Sequence, residues 1–146
     1  MKKIIITLII LLIVVISAIL YFYYQYQNNV QIMGSINKEY ESFYQNQTYG
    51  TNVMSLMNKA IDNNNKNGIS KNDKGYYIEN DTNSIKITIK FKGEKEDEFF
   101  EYSMEQIAKQ GSEAFIKNFG AIEFKCTNIE YHEKTHIVKY MYFEQI

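Results

Sequence analysis

The chain has 146 residues, a formal net charge of −1, a single Cys, and neither Pro nor Trp; every one of its positive side chains is Lys. With no basic stripe and no Arg fork for phosphate or carboxylate, nucleic acid is not an expected partner and phosphate-handling chemistry is disfavoured. One Cys cannot close an intrachain disulfide, and the length beyond the N-terminal segment suffices for one small domain.

After Lys2 and Lys3, an apolar run extends from Ile4 to Leu20, interrupted only by Thr7 and Ser17, and passes into Tyr21, Phe22, Tyr23 and Tyr24. At ~1.5 Å per residue, a helix through this run covers roughly the ~30 Å hydrocarbon core of a bilayer. The aromatic end suits the membrane–water interface, where an amphipathic ring is stable half in and half out of the apolar phase. Ile4, Leu8, Leu12, Val15, Leu20, Tyr21 and Tyr24 are the expected anchor residues, with the lipid bilayer as partner. Lys2 and Lys3 flank one end, and the other end has no Lys before Lys38. The positive-inside rule therefore predicts a cytoplasmic tail at 1–3, a transmembrane signal anchor at 4–24, and everything later outside the cell membrane, in a single-pass protein. A cleaved signal peptide is the competing reading. The run exceeds the usual ~7–15-residue apolar stretch of such signals. Cleavage near Ser17 or Ala18 would also put bulky Val15 or Ile16 where a small side chain is needed, so the anchor is expected to stay uncleaved. With Cys126 the only cysteine, no lipid-modified Cys lies near the run.

Beyond the run, Val30, Met33, Ile36, Tyr40, Phe43 and Tyr44 recur at helical spacing, which predicts a helical stalk over 25–49, helical to about Gln47 and broken at Tyr49-Gly50. Thr51 is the expected cap of a second helix that buries Val53, Met54, Leu56, Met57, Ala60 and Ile61. The Asn-rich stretch Asp62 to Gly68 ends it, and 70–75 is a polar loop. Tyr76–Glu79 reads as a short strand and Asn80–Asn83 as a turn. From Ile85 to Lys92 isoleucines and Phe91 alternate with lysines and Thr88, the signature of a half-buried strand. The loop Gly93–Asp97 leads to a third strand over Glu98–Tyr102. Ser103 and Gln106 form a capping box opening a helix with Met104, Ile107, Ala108, Phe115 and Phe119 inward. Gly111-Ser112 kinks or divides this helix and Gly120 closes it. Two last strands are expected at Ile122–Tyr131 and His136–Phe143, joined by a turn at His132–Thr135, with a bulge at Thr127-Asn128 where the inward phase shifts. The sum is an α+β extracytoplasmic domain over 50–146, with four or five antiparallel strands and helices on one face.

The candidate sites are few. His132 and His136, with Glu130 or Glu133, could act as metal ligands; two polar residues edging a turn is the plainer account, and no metal or cofactor is expected. The stretch around Asn63 to Lys74 fails as a calcium loop: with Gly68 in the sixth position the twelfth is Lys74 and not Glu. Glu94, Lys95, Glu96, Asp97 and Glu98 read as a solvated turn, and Cys126 as a small buried hydrophobe. No nucleophile elbow, zinc-protease, P-loop or dinucleotide-binding pattern occurs, so no catalytic residue is assigned and an enzyme is not expected. Tyr140, Tyr142 and Phe143 either cover the core or form a docking face. The expected role is a non-enzymatic, membrane-tethered component that meets a protein partner through its stalk or a sheet edge. The alternative is an extracytoplasmic ligand-binding or sensing domain.

An apolar helix that continues into a stalk and carries an α+β head resembles the plan of type IV pilins and pseudopilins. The stretch from Gly50, Thr51 and Val53 to Lys59 and Ile61 is similar to a pattern in small anchored proteins of Tad/Flp-type pilus systems. Those prepilins carry a Gly before the apolar helix for cleavage and a Glu early within it. Here Lys3-Ile4 stands at the cleavage position and the run holds no Glu. The resemblance therefore implies an unprocessed accessory component of an envelope assembly.

Overall fold

The computed structural model describes residues 2–95 and 97–146, without the side chains of Lys2, Asn29, Gln31, Ile32 and Met33. Met1 of the expected tail, Glu96 of the acidic run and the Met33 side chain of the expected stalk lie outside the described residues. The chain divides into two compact units, Met1–Ser35 and Ile36–Ile146, and the first helix, α1 (Lys2–Glu41), contributes to both.

In the first unit, every large aliphatic side chain from Ile4 to Leu20 is exposed, with fractional exposures between 46% and 65%. Segment Lys3–Asn28 is long and apolar enough to cross a membrane. The only two hydroxyls within the apolar run are satisfied inside the helix: Thr7 Oγ1 donates to Lys3 O at 3.0 Å and Ser17 Oγ to Ile13 O at 2.7 Å. Such back-bonding lets a hydroxyl sit in hydrocarbon without an unpaired donor.

In the second unit α1 stops at Glu41, earlier than the expected stalk over 25–49. Two features account for the difference. Tyr40 is buried in the core and Phe43 meets Phe143 edge to face at 6.3 Å, so the apolar spacing there serves the globular core and not a stalk face. Gln45 then adopts a left-handed φ of 61°, its N–H donating to Cys126 O, and Gln47–Tyr49 form a strand, β1. Helix α2 (Gly50–Lys66) follows directly. Thr51 does not cap it, contrary to expectation. Instead the first main-chain donors reach across to another segment, Gly50 N to Ile122 O at 2.8 Å and Thr51 N to Gly120 O at 3.2 Å. This close approach requires Gly50, since a Cβ there would lie 2.1 Å from Phe119 O.

Tyr76–Glu79 makes only an isolated bridge, Lys71 to Tyr77, and is not a strand of the sheet. The remaining elements are β2 (Lys86–Lys92), β3 (Phe99–Ser103), α3 (Met104–Gln110), α4 (Ser112–Phe119), β4 (Glu123–Tyr131) and β5 (Val138–Gln145). The capping box at Ser103 and Gln106 is present in both directions. Gly111, at φ 98°, divides the predicted single helix into α3 and α4.

The five strands form one sheet in the order β1-β4-β5-β2-β3. Three of the four pairings are antiparallel, but β2 and β5 run parallel at the centre, Ile87 opposite Met141 and Ile89 opposite Phe143. The wholly antiparallel expectation fails at this one pairing, because adjacency across 50 residues leaves no local pattern in either strand. The β4–β5 register shifts between Cys126 and Asn128, which is the expected bulge at Thr127-Asn128. Alternate residues of β2, β4 and β5 join Val53, Met54, Leu56 and Met57 of α2, Met104 and Ile107 of α3, and Phe115 of α4 in one buried cluster. The helices thus cover one face of the sheet, and the fold is α+β as predicted.

Candidate functional site

Two turns close together at one end of the sheet hold both histidines singled out by the sequence. Asn80 folds the first turn: its Oδ1 accepts from the N–H of Thr82, Asn83 and Ser84 at 2.9–3.1 Å. His132, at the end of β4, is buried, and its Nε2 donates to Ser84 O at 2.8 Å. Lys134 bonds Asp81 at 2.7 Å and Thr135 Oγ1 donates to Thr82 O, so the second turn is laced to the first. His136 takes a left-handed φ of 55° and its side chain is exposed, unlike that of His132. The structure therefore uses His132 as a structural tie and does not direct it with His136 at a common point. Among the described residues no group of three or more His, Cys, Asp and Glu side chains is placed to hold a metal ion.

A cleft of about 530 Å³ opens beside these turns, lined by Glu79, Asp81, Glu130 and Glu133 together with Lys134 and Lys139. Its charges are largely paired. Lys139 meets Glu79 at 2.7 Å and Lys86 approaches the same carboxylate at 3.6 Å. The Lys139 hydrogen bond holds the Glu79 carboxyl below the usual carboxylate range, and Lys134 does the same for Asp81. Neither carboxyl is poised to give up a proton near neutral pH.

Two helix asparagines set the start of both central strands; one of them, Asn64, lies in the Asn-rich stretch expected to end the second helix, which instead continues to Lys66. Asn64 of α2 is fully buried; its Nδ2 donates to Ile85 O at 2.7 Å and its Oδ1 accepts from Ile85 N at 2.8 Å. Asn37, near the end of α1, donates to His136 O at 2.6 Å and accepts from Val138 N at 2.9 Å. Each amide thereby stands in for a neighbouring strand where β2 and β5 begin. The only available signal was an Asn within an apolar helical face, which propensity alone treats as a helix ender.

Cys126 is fully buried and its Sγ lies 3.4 Å from Asn128 O at the bulge. Burial pushes its thiol up to about 11, the reverse of what an activated nucleophile needs. The described part of the acidic run surrounds the β2–β3 turn. On the uncovered sheet face Tyr140 and Tyr142 lie with ring centroids 6.4 Å apart, and the Tyr142 hydroxyl donates to Glu101. In the first unit the expected anchor residues Ile4, Leu8, Leu12, Val15, Leu20, Tyr21 and Tyr24 are all exposed, and Gln25 and Gln27 donate to the Tyr21 and Tyr23 hydroxyls at 3.1 and 2.9 Å.

Comparison with known proteins finds no matching family model, no matching curated protein and no matching solved structure.

Proposed function

We propose that the chain is a membrane-tethered, extracytoplasmic and non-enzymatic protein, an accessory component of an envelope assembly of the pilin-like kind. The observation that carries this reading is the all-round exposure of the aliphatic run from Ile4 to Leu20. At ~1.5 kcal/mol or more for covering each large aliphatic side chain, leaving that run in water forgoes on the order of 20 kcal/mol. A bilayer covers every side of the helix at once, and the hydroxyls of Thr7 and Ser17 are already satisfied within it. Lys3 at one end and the tyrosines at the other favour a single-pass anchor with its N-terminus in the cytoplasm. The non-enzymatic part is supported by the ion pairs that engage Glu79 and Asp81 of the cleft and by the raised Cys126 thiol.

Carbonate washing of membranes tests the anchor. The intact chain stays in the pellet at its full mass, whereas Leu12→Lys together with Val15→Lys, at roughly 2.5–3.5 kcal/mol each near a helix centre, shifts it to the soluble fraction. Recovery of the unsubstituted chain in the wash, or at a mass lacking the run, sinks the reading. Orientation follows from labelling whole cells with an impermeant maleimide. A Ser55→Cys, Cys126→Ala chain labels without lysis if the globular unit is outside.

The 530 Å³ cleft favours a second reading, an extracytoplasmic ligand-binding or sensing domain. A small polar ligand of the cleft raises the melting temperature of the wild type and fails to do so in Lys139→Met.

A further inference from the structure

The sheet ends in two unlike edges. β1 is three residues long and runs straight into α2, which leaves little edge to pair. β3 is five residues, Phe99–Ser103, bonded only to β2. Its only charged residue is Glu101, and it has no Lys, no Pro and no register shift against β2 to protect the edge. Phe99 and Phe100 instead stand 48% and 46% exposed on it.

The space inside this edge is equally open. Phe100 and Tyr102 lie opposite Phe91 and Ile89 of β2, so they face the helix-covered side. There they line a cavity of about 230 Å³ with Phe91, Ile107, Phe115 and Phe119. The rings are already packed, Phe91 lying 4.7 Å from Phe119 and 5.7 Å from Tyr102 between centroids, so the wall is mainly aromatic, with Lys92, Gln110 and Asn118 also lining the cavity. An added strand beside β3 directs every second side chain to that side of the sheet.

Charge indicates what such a strand carries. Glu98 and Glu101 border or lie on β3, Glu94 and Asp97 precede it, and among the described residues none of the four forms an ion pair. Lys90 of the neighbouring strand is occupied by Glu144 at 3.7 Å and by the Phe99 ring. A basic side chain of an incoming strand on the uncovered face therefore meets Glu101, with the other carboxylates nearby in sequence, and opposite charge directly across a strand pair is stabilising.

We propose that the β3 edge captures an extended peptide from a partner protein, alternating apolar or aromatic residues that enter the cavity with Lys or Arg residues on the uncovered face, where they meet Glu101. This is strand addition, with main-chain pairing supplying affinity and the cavity supplying selectivity. A second copy of the chain is the weaker occupant. Five residues a side fall well short of the roughly 20–30 of a stable interface. The proposal names the partner surface of the interaction component proposed above and rests on that reading for its role. Its test is done in detergent, so failure here leaves the anchoring result standing.

A random 12-residue display library is selected against the full chain in detergent micelles, with empty micelles as the background. Enriched peptides alternate apolar and basic residues, and on binding they slow amide exchange over 99–103. Phe100→Lys weakens them at least tenfold while its melting temperature stays near that of the wild type. Glu101→Lys, on the opposite face and away from the cavity, weakens the basic peptides by roughly two- to fivefold. That second variant decides the matter if Phe100→Lys unfolds. The proposal is overturned if no peptide is enriched over empty micelles, if both variants bind the selected peptides as the wild type does, or if β3 is protected by self-association with no peptide present.

Discussion

Replacing Asn64 by Leu tests whether one buried amide holds the entrance to β2. Asn64 has no exposed surface, and both halves of its amide bond the main chain of Ile85, at 2.7 and 2.8 Å. Leu has the same branching and the same number of side-chain heavy atoms, though its methyl groups are bulkier, and a better helix propensity by roughly 0.5 kcal/mol, so on local grounds the change should stabilise α2. The tertiary contacts predict the opposite sign. Leu leaves the N–H and C=O of Ile85 buried without partners, at ~1–3 kcal/mol for each orphaned group. The net expectation is a loss of about 2–5 kcal/mol, which at about 4 °C per kcal/mol for a unit of this size lowers the melting temperature by on the order of 10–20 °C. Asn64→Asp discriminates further. It keeps an acceptor for Ile85 N but sets a carboxylate oxygen against Ile85 O, so it should also destabilise, and less so under acid where the carboxyl can donate. The exposed Asn58, on the same helix, is the control, and its Leu variant should be neutral or slightly stabilising. Thermal and urea unfolding of the full chain in detergent, followed through tyrosine fluorescence, gives all four values. An Asn64→Leu chain within 0.5 kcal/mol of the wild type would refute the argument that these two bonds are what fix the strand.

Four further outcomes follow from the same packing. Gly50→Ala places a methyl 2.1 Å from Phe119 O, with the Phe124 ring also close, and should cost ~3 kcal/mol or more, read as a drop in the urea midpoint. Cys126 should resist maleimide at pH 7–8 in the folded chain and react on addition of urea; rapid labelling under native conditions would contradict its burial. Its thiol is raised from 9.0 to about 11 in the folded protein, so its contribution to stability is complete below pH 9 and is lost as pH rises toward 11, a decline that Cys126→Ala should remove. Glu79 runs in the other sense. Its carboxyl is lowered chiefly by Lys139, so the contribution is present above the ordinary carboxylate range and lost as pH falls through the lowered value; Lys139→Met should flatten this acid limb of the stability curve, and an unchanged limb would show that the pair contributes nothing.

What the sequence made legible is what period and punctuation encode. The alternation from Ile85 to Phe91, the capping box at Ser103 and Gln106, the break at Gly111 and the phase shift at Thr127-Asn128 each have a local cause, and each appears where that cause lies. The errors share a different origin, since they concern groups whose partner is distant in the chain. Tyr40 and Phe43 continue the helical spacing of the residues before them, yet their apolar surface is claimed by the core and by Phe143, and the helix stops. Thr51 has the chemistry of a cap, but the donors it would serve are taken by the carbonyls of Gly120 and Ile122. His132 has the chemistry of a ligand and is spent on Ser84 O.

The parallel pairing of β2 with β5 belongs to the same class, and it explains why two helix asparagines matter. Each of these strands starts with main-chain groups that the sheet leaves to a helix side chain. Asn64 meets this need at Ile85, and Asn37 meets it at His136 and Val138. Because Asn37 lies on α1, the helix that supplies the apolar run also takes part in setting β5. The two amides differ in one testable respect. Asn64 is sealed from water, so its loss leaves orphaned groups, whereas the Asn37 bond to His136 O lies at an exposed turn where water can replace it. Asn37→Leu should therefore cost less than half as much as Asn64→Leu. Equal costs would mean that the starts of β5 and β2 are equally dry, and that the amides act through packing and not through the groups they satisfy.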